Sequence, residues 1–144
     1  MLVLAEPLWD RMVAHCLAGL PMEACGLIAG VEDSSGTRVT HVYPTANAAN
    51  SARVYTVEPL DLLKADRAAE AAGVAVLGVW HSHTHTPAYP SPTDIAQAPD
   101  PAWHYVLVSL SDVEPVMRSY RIVDGRASEE PVALAACRDT AVQW

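Results

Sequence analysis

The feature that most constrains the fold is an apolar run, VAVLGVWHSH, which spans residues 74–83 and ends in two histidines. The run is rich in β-branched residues and apolar at successive positions, which is typical of a central strand covered on both faces. A chain of 144 residues, 51% of them hydrophobic, has the length and composition of one domain with one well-filled core. The sequence therefore predicts a single domain with this strand inside a layered sheet.

Strand and helix patterns follow one another irregularly along the rest of the chain. Helices are predicted from Glu6 to Leu17, by apolar spacing, and from Pro59 to a terminating Gly73, by a run of helix formers. Strands are predicted at 1–5, 25–31, 38–44, 54–58, 104–110, 116–123 and, as a short edge strand, near Glu130 to Ala133. This order fits an α+β (layered α/β) fold better than a regular βαβ series.

Charge and cysteine content exclude several classes of protein. A net charge of −8 without a basic cluster argues against nucleic acid or an anionic membrane surface as a partner. Cys16, Cys25 and Cys137 stand at wide spacings that match neither a disulfide framework nor a four-cysteine zinc site, so we predict buried thiols. Without a membrane-spanning window or a cleavable leader pattern, the chain is predicted to be soluble and cytoplasmic.

The segment HSHTHTPAYPSPTD, residues 81–94, carries candidate metal ligands. Residues two apart in a strand point to the same face, so His81 and His83 present their imidazoles side by side. His85 has the same parity, and by spacing alone any two of the three histidines are candidates. A catalytic zinc site needs three protein ligands and leaves the fourth position to water, so a further ligand must come from another element.

Asp94 is placed to be that third ligand. Ser91 and Pro92 form the pattern of a helix start, with serine at the N-cap and proline at the first helical position. A carboxylate in the first turn is stabilised by the helix dipole and stays ionised for coordination. The proline-rich loop between the histidines and this helix would bring the helix N-terminus back over the strand end.

The motif His81-Ser82-His83, seven residues, Ser91, two residues and Asp94 resembles the signature of the JAMM, or MPN-plus, metallopeptidase family. The upstream element agrees as well, because Glu23 stands before CGLIAG with only Ala24 between them, as the catalytic glutamate of the family stands before its strand. The resemblance implies zinc (Zn²⁺) held by His81, His83 and Asp94, with Glu23 as general acid/base. It implies that Ser91 stabilises the oxyanion, in addition to capping its helix, and it disfavours His85 as a ligand.

The resemblance covers nearly the whole chain and implies a JAMM/MPN-like domain at residues 1–133. The expected fold is a curved mixed β-sheet flanked by helices, with cytidine deaminase-like layering. Residues 134–144 are predicted to be a C-terminal tail, mobile or docked on a partner. A tail that docks on a second copy would fit a homodimer.

Within the family, the small size and the stretches AWHYVLVSL and RSYRIVDGRASEEPV are similar to the Mec-type bacterial peptidases. These act on ubiquitin-like sulfur-carrier proteins and cleave after the carrier's C-terminal Gly-Gly. Cleavage either releases cysteine or trims extra residues so that a thiocarboxylate can form, and the sequence leaves both open.

The loop at residues 45–53 and the segment 87–90 are the candidate walls of the substrate groove. Two other classes stay open, a non-catalytic MPN-like scaffold and a metal-dependent hydrolase of small amides.

Several residues close to the motif are predicted to be structural. Ser82 points to the face opposite the two histidines, and His104 begins an apolar strand. Cys25 opens a buried strand, and cysteine is among the most commonly buried residue types. The tryptophans that are predicted to pack against other side chains, rather than to bind a ligand, are Trp9, Trp80 and Trp103.

Overall fold

The computed structural model describes residues 1–136 of the chain. In that range the elements are β1 (Leu2–Ala5), α1 (Glu6–Gly19), β2 (Cys25–Asp33), β3 (Gly36–Thr45), α2 (Pro59–Ala71), β4 (Ala75–His83), α3 (Pro92–Ala96), β5 (His104–Ser109), β6 (Val116–Val123), β7 (Arg126–Glu130) and β8 (Val132–Ala135). Among these residues, none of the helices has the length and hydropathy that a membrane-spanning helix requires.

The strands form one mixed sheet in the order β7-β6-β5-β4-β2-β3-β1-β8. β4 lies inside the sheet, antiparallel to β2 on one side and parallel to β5 on the other. β1 pairs in parallel with both β3 and β8. The predicted central strand and the predicted α+β fold with a mixed sheet are therefore confirmed.

The sheet curves until its two ends nearly meet. β7 and β8 are consecutive in the chain, yet they stand at opposite ends of the strand order. Pro131 lies between them, and its carbonyl oxygen accepts a hydrogen bond of 2.9 Å from the Leu2 amide. Proline has no N–H to donate to a ladder, so the chain leaves β6 here and joins β1. The edge strand predicted near Glu130 to Ala133 is present as β8, but it begins at Val132, because Glu130 is the last residue of β7 at the other end of the strand order.

Helices cover both faces of the sheet, and β4 contributes to the core on each side. On one face Trp80 packs with Leu8 and Met12 of α1. On the other face Val79 packs with Ala65 of α2. This two-sided burial explains why residues 74–83 are apolar at successive positions.

The packing around β4 leaves no space on the neighbouring strand. Trp80 is fully buried and donates a hydrogen bond of 3.2 Å from its indole nitrogen to the carbonyl oxygen of Leu27. A Cβ atom added to Gly26 would lie 2.3 Å from the Trp80 ring, so glycine is required at this close approach. Cys16 and Cys25 are buried free thiols, as predicted.

The segment VYTVE, residues 54–58, was predicted to be a strand, and this prediction was wrong. It forms one isolated bridge, between Asn47 and Val57. The Thr56 amide donates instead to the side-chain oxygen of Asn47 at 2.9 Å, and the Thr56 carbonyl oxygen accepts from the Ala48 amide at 2.7 Å. We call residues 46–58, between β3 and α2, the site loop.

The predicted C-terminal tail begins at residue 134, within β8, which pairs with β1 as far as Ala135. Residues 137–144, with Cys137 and Trp144, lie outside the described residues. The predictions of a buried Cys137, of a mobile tail and of a tail-mediated homodimer fall on this part of the chain and stay predictions.

Candidate metal centre

Three buried side chains converge at the carboxyl end of β4. The Nε2 atoms of His81 and His83 lie 3.3 Å apart, and each lies 3.1 Å from Oδ2 of Asp94 in α3. Within residues 1–136 this is the single group of three or more His, Cys, Asp or Glu side chains whose ligand atoms converge in this way. His85 is exposed beyond the end of β4 and takes no part in the group.

A capping box holds Asp94 in place. The Ser91 hydroxyl oxygen accepts a hydrogen bond of 3.0 Å from the Asp94 amide, and the Ser91 amide donates one of 2.9 Å to Oδ2 of Asp94. The predicted helix start is therefore confirmed, with Ser91 at the N-cap and Pro92 as the first residue of α3. Because the two bonds are reciprocal, the carboxylate has little rotational freedom at the histidines.

The hydrogen bond of His83 to the backbone fixes its tautomer. Its Nδ1 atom lies 2.9 Å from the carbonyl oxygen of Pro87, which can only accept, so Nδ1 carries the proton. In the neutral ring Nε2 then carries a lone pair that points at Asp94 and His81. Acceptor atoms at this separation repel one another unless a proton or a cation lies between them.

The spacing of the three atoms suits a metal ion. In a tetrahedral site with bonds of about 2.0 to 2.1 Å, ligand atoms lie about 3.3 Å apart. The observed separations are 3.1 to 3.3 Å. The group is therefore compatible with one ion bound by three protein ligands.

The electrostatics of the group favour coordination. Burial lowers the pKa of His81, which keeps that ring neutral. Burial alone would raise the pKa of Asp94, but hydrogen bonds with the two histidines outweigh this effect and hold the pKa well below its ordinary value. Burial also works to lower the pKa of His83, but contacts with Asp94 and Pro87 raise it overall. A proton and a metal ion therefore compete for this ring.

Glu23 stands two residues before the start of β2, and the register places Cys25, the first residue of that strand, opposite His81. Glu23 is buried, with 5% of the residue exposed, and Oε1 of its carboxyl group has no hydrogen-bond partner among the described residues. Burial raises the pKa of Glu23 to about 7; nearby His83 opposes this shift and Asp94 adds to it. The carboxyl group can therefore hold or release a proton near neutral pH.

Ser82, between the two histidines of β4, is hydrogen-bonded to Ala24, the residue that follows Glu23. Its hydroxyl oxygen accepts from the Ala24 amide at 2.9 Å, and its own amide donates to the Ala24 carbonyl oxygen at 2.9 Å. This contact lies on the face opposite the histidine rings, as predicted for a structural residue.

The sequence interpretation missed Tyr55 in the site loop. Its ring stacks on His81 with a centroid separation of 4.1 Å and an angle of 20° between the planes. A cavity of about 270 Å³ lies beside Tyr55. It is bounded by Asp94 and otherwise mostly by apolar side chains, among them Leu27, Val57 and Trp103. The sequence could not predict the role of Tyr55, because the spacing of residues 54–58 does not depend on a stacking partner that lies in another element.

Comparison with known proteins places this fold and site in one family. Residues 5–123 match the family described as prokaryotic homologs of the JAB domain, and the chain belongs to that family. The CysO-cysteine peptidase of Mycobacterium tuberculosis is 45% identical over 133 residues, which cover 92% of this chain and 90% of that protein. Desampylase of Haloferax volcanii is 34% identical over 113 residues, which cover 75% of this chain and 80% of that protein.

The fold is also found in a solved structure. A protein of Desulfitobacterium hafniense, determined in solution, superposes with a TM-score of 0.88 at 35% identity, over 94% of both chains. The predicted membership of the JAMM family and the predicted fold class are thereby confirmed.

Proposed function

We propose that the protein is a zinc-dependent peptidase that hydrolyses the bond after the C-terminal Gly-Gly of a small ubiquitin-like sulfur-carrier protein. One observation carries the proposal: His81, His83 and Asp94 converge at metal-ligand spacing beside the buried, protonatable Glu23. The similarity to a CysO-cysteine peptidase over 92% of the chain supports a carrier protein as substrate. It favours release of cysteine over trimming of longer extensions.

Zinc is the ion that the donor set favours. Two imidazole nitrogens and one carboxylate oxygen from three residues, with the fourth position open, are typical of catalytic zinc. When bound, zinc supplies an acidified water, whose pKa falls from about 16 to near 7, and it polarises the carbonyl group that is attacked.

The protein side chains perform the proton transfers. Glu23 takes the proton of the attacking water and gives it to the leaving amine, and a pKa of about 7 suits a group that does both at neutral pH. The Ser91 hydroxyl oxygen accepts from the Asp94 amide, so its own proton can be donated to the developing oxyanion. The helix cap and the oxyanion contact thus use different parts of the same hydroxyl group.

The substrate groove is proposed to run between the site loop and the segment at residues 87–90. A Gly-Gly tail has no side chains to collide with Tyr55, which covers His81. The apolar cavity beside Asp94 offers space for one side chain of the carrier tail. The two free thiols, Cys16 and Cys25, suit the reducing cytoplasm proposed as the site of action.

Cleavage of a carrier protein tests this function. The zinc-loaded protein is incubated with a sulfur carrier that carries one cysteine after its Gly-Gly, and intact mass is recorded. We expect loss of the mass of one cysteine residue with the wild type, loss slowed by at least about 100-fold with Glu23→Gln, and no loss with a chelator. His83→Ala and His85→Ala form a matched pair, in which only the first should be inactive.

The same assay decides between the rival functions. An unchanged carrier mass in the presence of folded, zinc-loaded wild type would contradict the peptidase and favour a scaffold. Cleavage of a short glycyl-cysteine amide but not of the carrier would indicate a small-amide hydrolase.

A further inference from the structure

The side-chain amide of Asn47 uses all of its hydrogen-bonding capacity next to the site. Its Nδ2 atom donates to the carbonyl oxygens of Glu23 at 3.0 Å and Val54 at 3.1 Å. Its Oδ1 atom accepts from the amides of Ala49 at 3.0 Å and Thr56 at 2.9 Å. An amide side chain has two N–H donors and two lone pairs, so Asn47 is fully satisfied and its orientation is fixed.

The backbone of Glu23 depends on the site loop for both of its hydrogen bonds. Its carbonyl oxygen accepts from Asn47, and its amide donates to the Ser51 carbonyl oxygen at 2.8 Å. The next residue, Ala24, bonds to Ser82 of β4 through its amide and its carbonyl oxygen, and the ladders of β2 begin at Cys25. The sheet therefore supports the residues after Glu23, whereas the loop sets the position of Glu23 itself.

The same amide also fixes the aromatic ring that covers His81. Asn47 bonds to Val54 and Thr56, the two chain neighbours of Tyr55, and Tyr55 stacks on His81 at 4.1 Å. One side chain thus joins the backbone of Glu23 to the loop segment that lies against a ligand ring.

We propose that Asn47 is a positioning residue that sets the Glu23 carboxyl group against the metal centre. The inference rests on the acid/base role proposed for Glu23 above. Oε1 of Glu23 has no hydrogen-bond partner among the described residues, so backbone anchoring contributes much of the carboxyl group's placement. A displacement of about 1 Å in a reacting group can cost about 100-fold in rate, so loss of the anchor acts on turnover.

Two substitutions remove the donor of Asn47. Asn47→Asp keeps an oxygen for the amides of Ala49 and Thr56 but cannot donate to Glu23, and Asn47→Ala removes every bond of the side chain. Thr40→Val is the matched control, because it also removes a side-chain donor to a backbone carbonyl oxygen near β2, that of Ala29, but lies in β3 outside the site loop. If Asn47→Ala does not fold, Asn47→Asp decides.

Carrier cleavage separates positioning from a general loosening of the fold. We expect both Asn47 variants to lower kcat at least about tenfold, with KM within about twofold and one zinc retained per chain. Thr40→Val should stay within about twofold of wild type. In a Glu23→Gln background, Asn47→Asp should lower the residual kcat by less than about twofold, because its effect passes through Glu23. The same loss of activity in both backgrounds would overturn the proposal.

Hydrogen exchange tests the anchor independently of any reaction. In metal-free Asn47→Asp we expect the Glu23 amide to exchange at least about fivefold faster than in wild type, while the Leu27 amide inside β2 is unchanged. If wild type cleaves no carrier, the proposed function fails while exchange still decides on the anchor. An unchanged exchange rate at Glu23 would overturn the positioning role.

Discussion

Glu23 combines two properties that oppose each other at the level of a single residue. Its carboxyl group is buried and partly unpaired, which raises its pKa to about 7 and suits acid/base chemistry. The same burial makes the ionised form costly in the folded protein, because a buried charge loses its hydration. We infer that this residue lowers the stability of the metal-free protein at neutral and higher pH.

Glu23→Gln should therefore stabilise the metal-free protein in a pH-dependent way. A carboxyl group whose pKa is raised from 4.5 to about 7 favours folding below pH 4.5, and this contribution is lost as the pH rises through 7. Glutamine stays neutral, so the free energy of unfolding of the variant relative to wild type should rise by about 2 kcal/mol between pH 5 and pH 8.

Urea unfolding in the presence of a chelator measures this difference. Glu70→Gln, the same substitution at an exposed position, provides the control. A difference between Glu23→Gln and wild type that is constant from pH 5 to pH 8 would rule out the proposed cost of burial.

At the scale of elements, local patterns predicted the parts of the site that are local. The parity of a strand put His81 and His83 on one face, and the N-cap pattern put Asp94 in the first turn of α3. Asn47 gave no such signal, because Glu23, its partner, lies 24 residues away and Asn50 looks equivalent in sequence. Residues 54–58 have the composition of a strand, but contacts with Asn47 take up their backbone groups, and this overrides local propensity.

Ser91 caps the five-residue helix α3 and is also the proposed oxyanion donor. Substitution of Ser91 therefore tests both the stability of the helix and the rate of the reaction. Ser91→Ala should lower the free energy of unfolding by about 1 kcal/mol through loss of the cap, and lower kcat by about 100-fold or more through loss of the oxyanion donor. Ser91→Thr retains both groups and should stay close to wild type in each measurement. If Ser91→Ala lowers the free energy of unfolding as expected but its kcat equals that of wild type, Ser91 caps the helix and does not stabilise the oxyanion.

At the scale of the whole molecule, a buried histidine links strands from distant parts of the sheet. His104, at the start of β5, lies 2.7 Å from Glu130 of β7 through Nδ1 and 2.7 Å from Glu32 of β2 through Nε2. Arg121 of β6 approaches the same ring at 3.1 Å. His104 was predicted to be structural, but its partners could not be inferred, because they meet only when the sheet curves.

The His104 cluster should stabilise the fold within a defined pH window. Burial works to lower the pKa of His104, but the two carboxylates raise it overall, so its contribution is present below pH 6.5 and lost as the pH rises through the raised pKa. The pKa values of Glu32 and Glu130 are lowered: burial opposes this, but hydrogen bonds with His104 and its neighbours outweigh it. Their contribution is therefore present above pH 4.5 and lost as the pH falls through the lowered values.

His104→Gln should consequently cost most between pH 4.5 and pH 6.5, by about 2 kcal/mol, and less at pH 9 and at pH 3. Thermal or urea unfolding across this range measures the loss, with the exposed His85→Gln as control. A cost that does not vary with pH would show that the ring stabilises the sheet by packing alone.

The position of the ion tests the proposed metal centre most directly. Crystals of the zinc-loaded protein, measured on both sides of the zinc absorption edge, give an anomalous map that locates zinc without assumptions about ligands. We expect the strongest peak about 2.0 to 2.2 Å from Nε2 of His81, Nε2 of His83 and an oxygen of Asp94, with Glu23 beside the open coordination position. A strongest zinc peak bound by other side chains would contradict the metal centre and, with it, the peptidase.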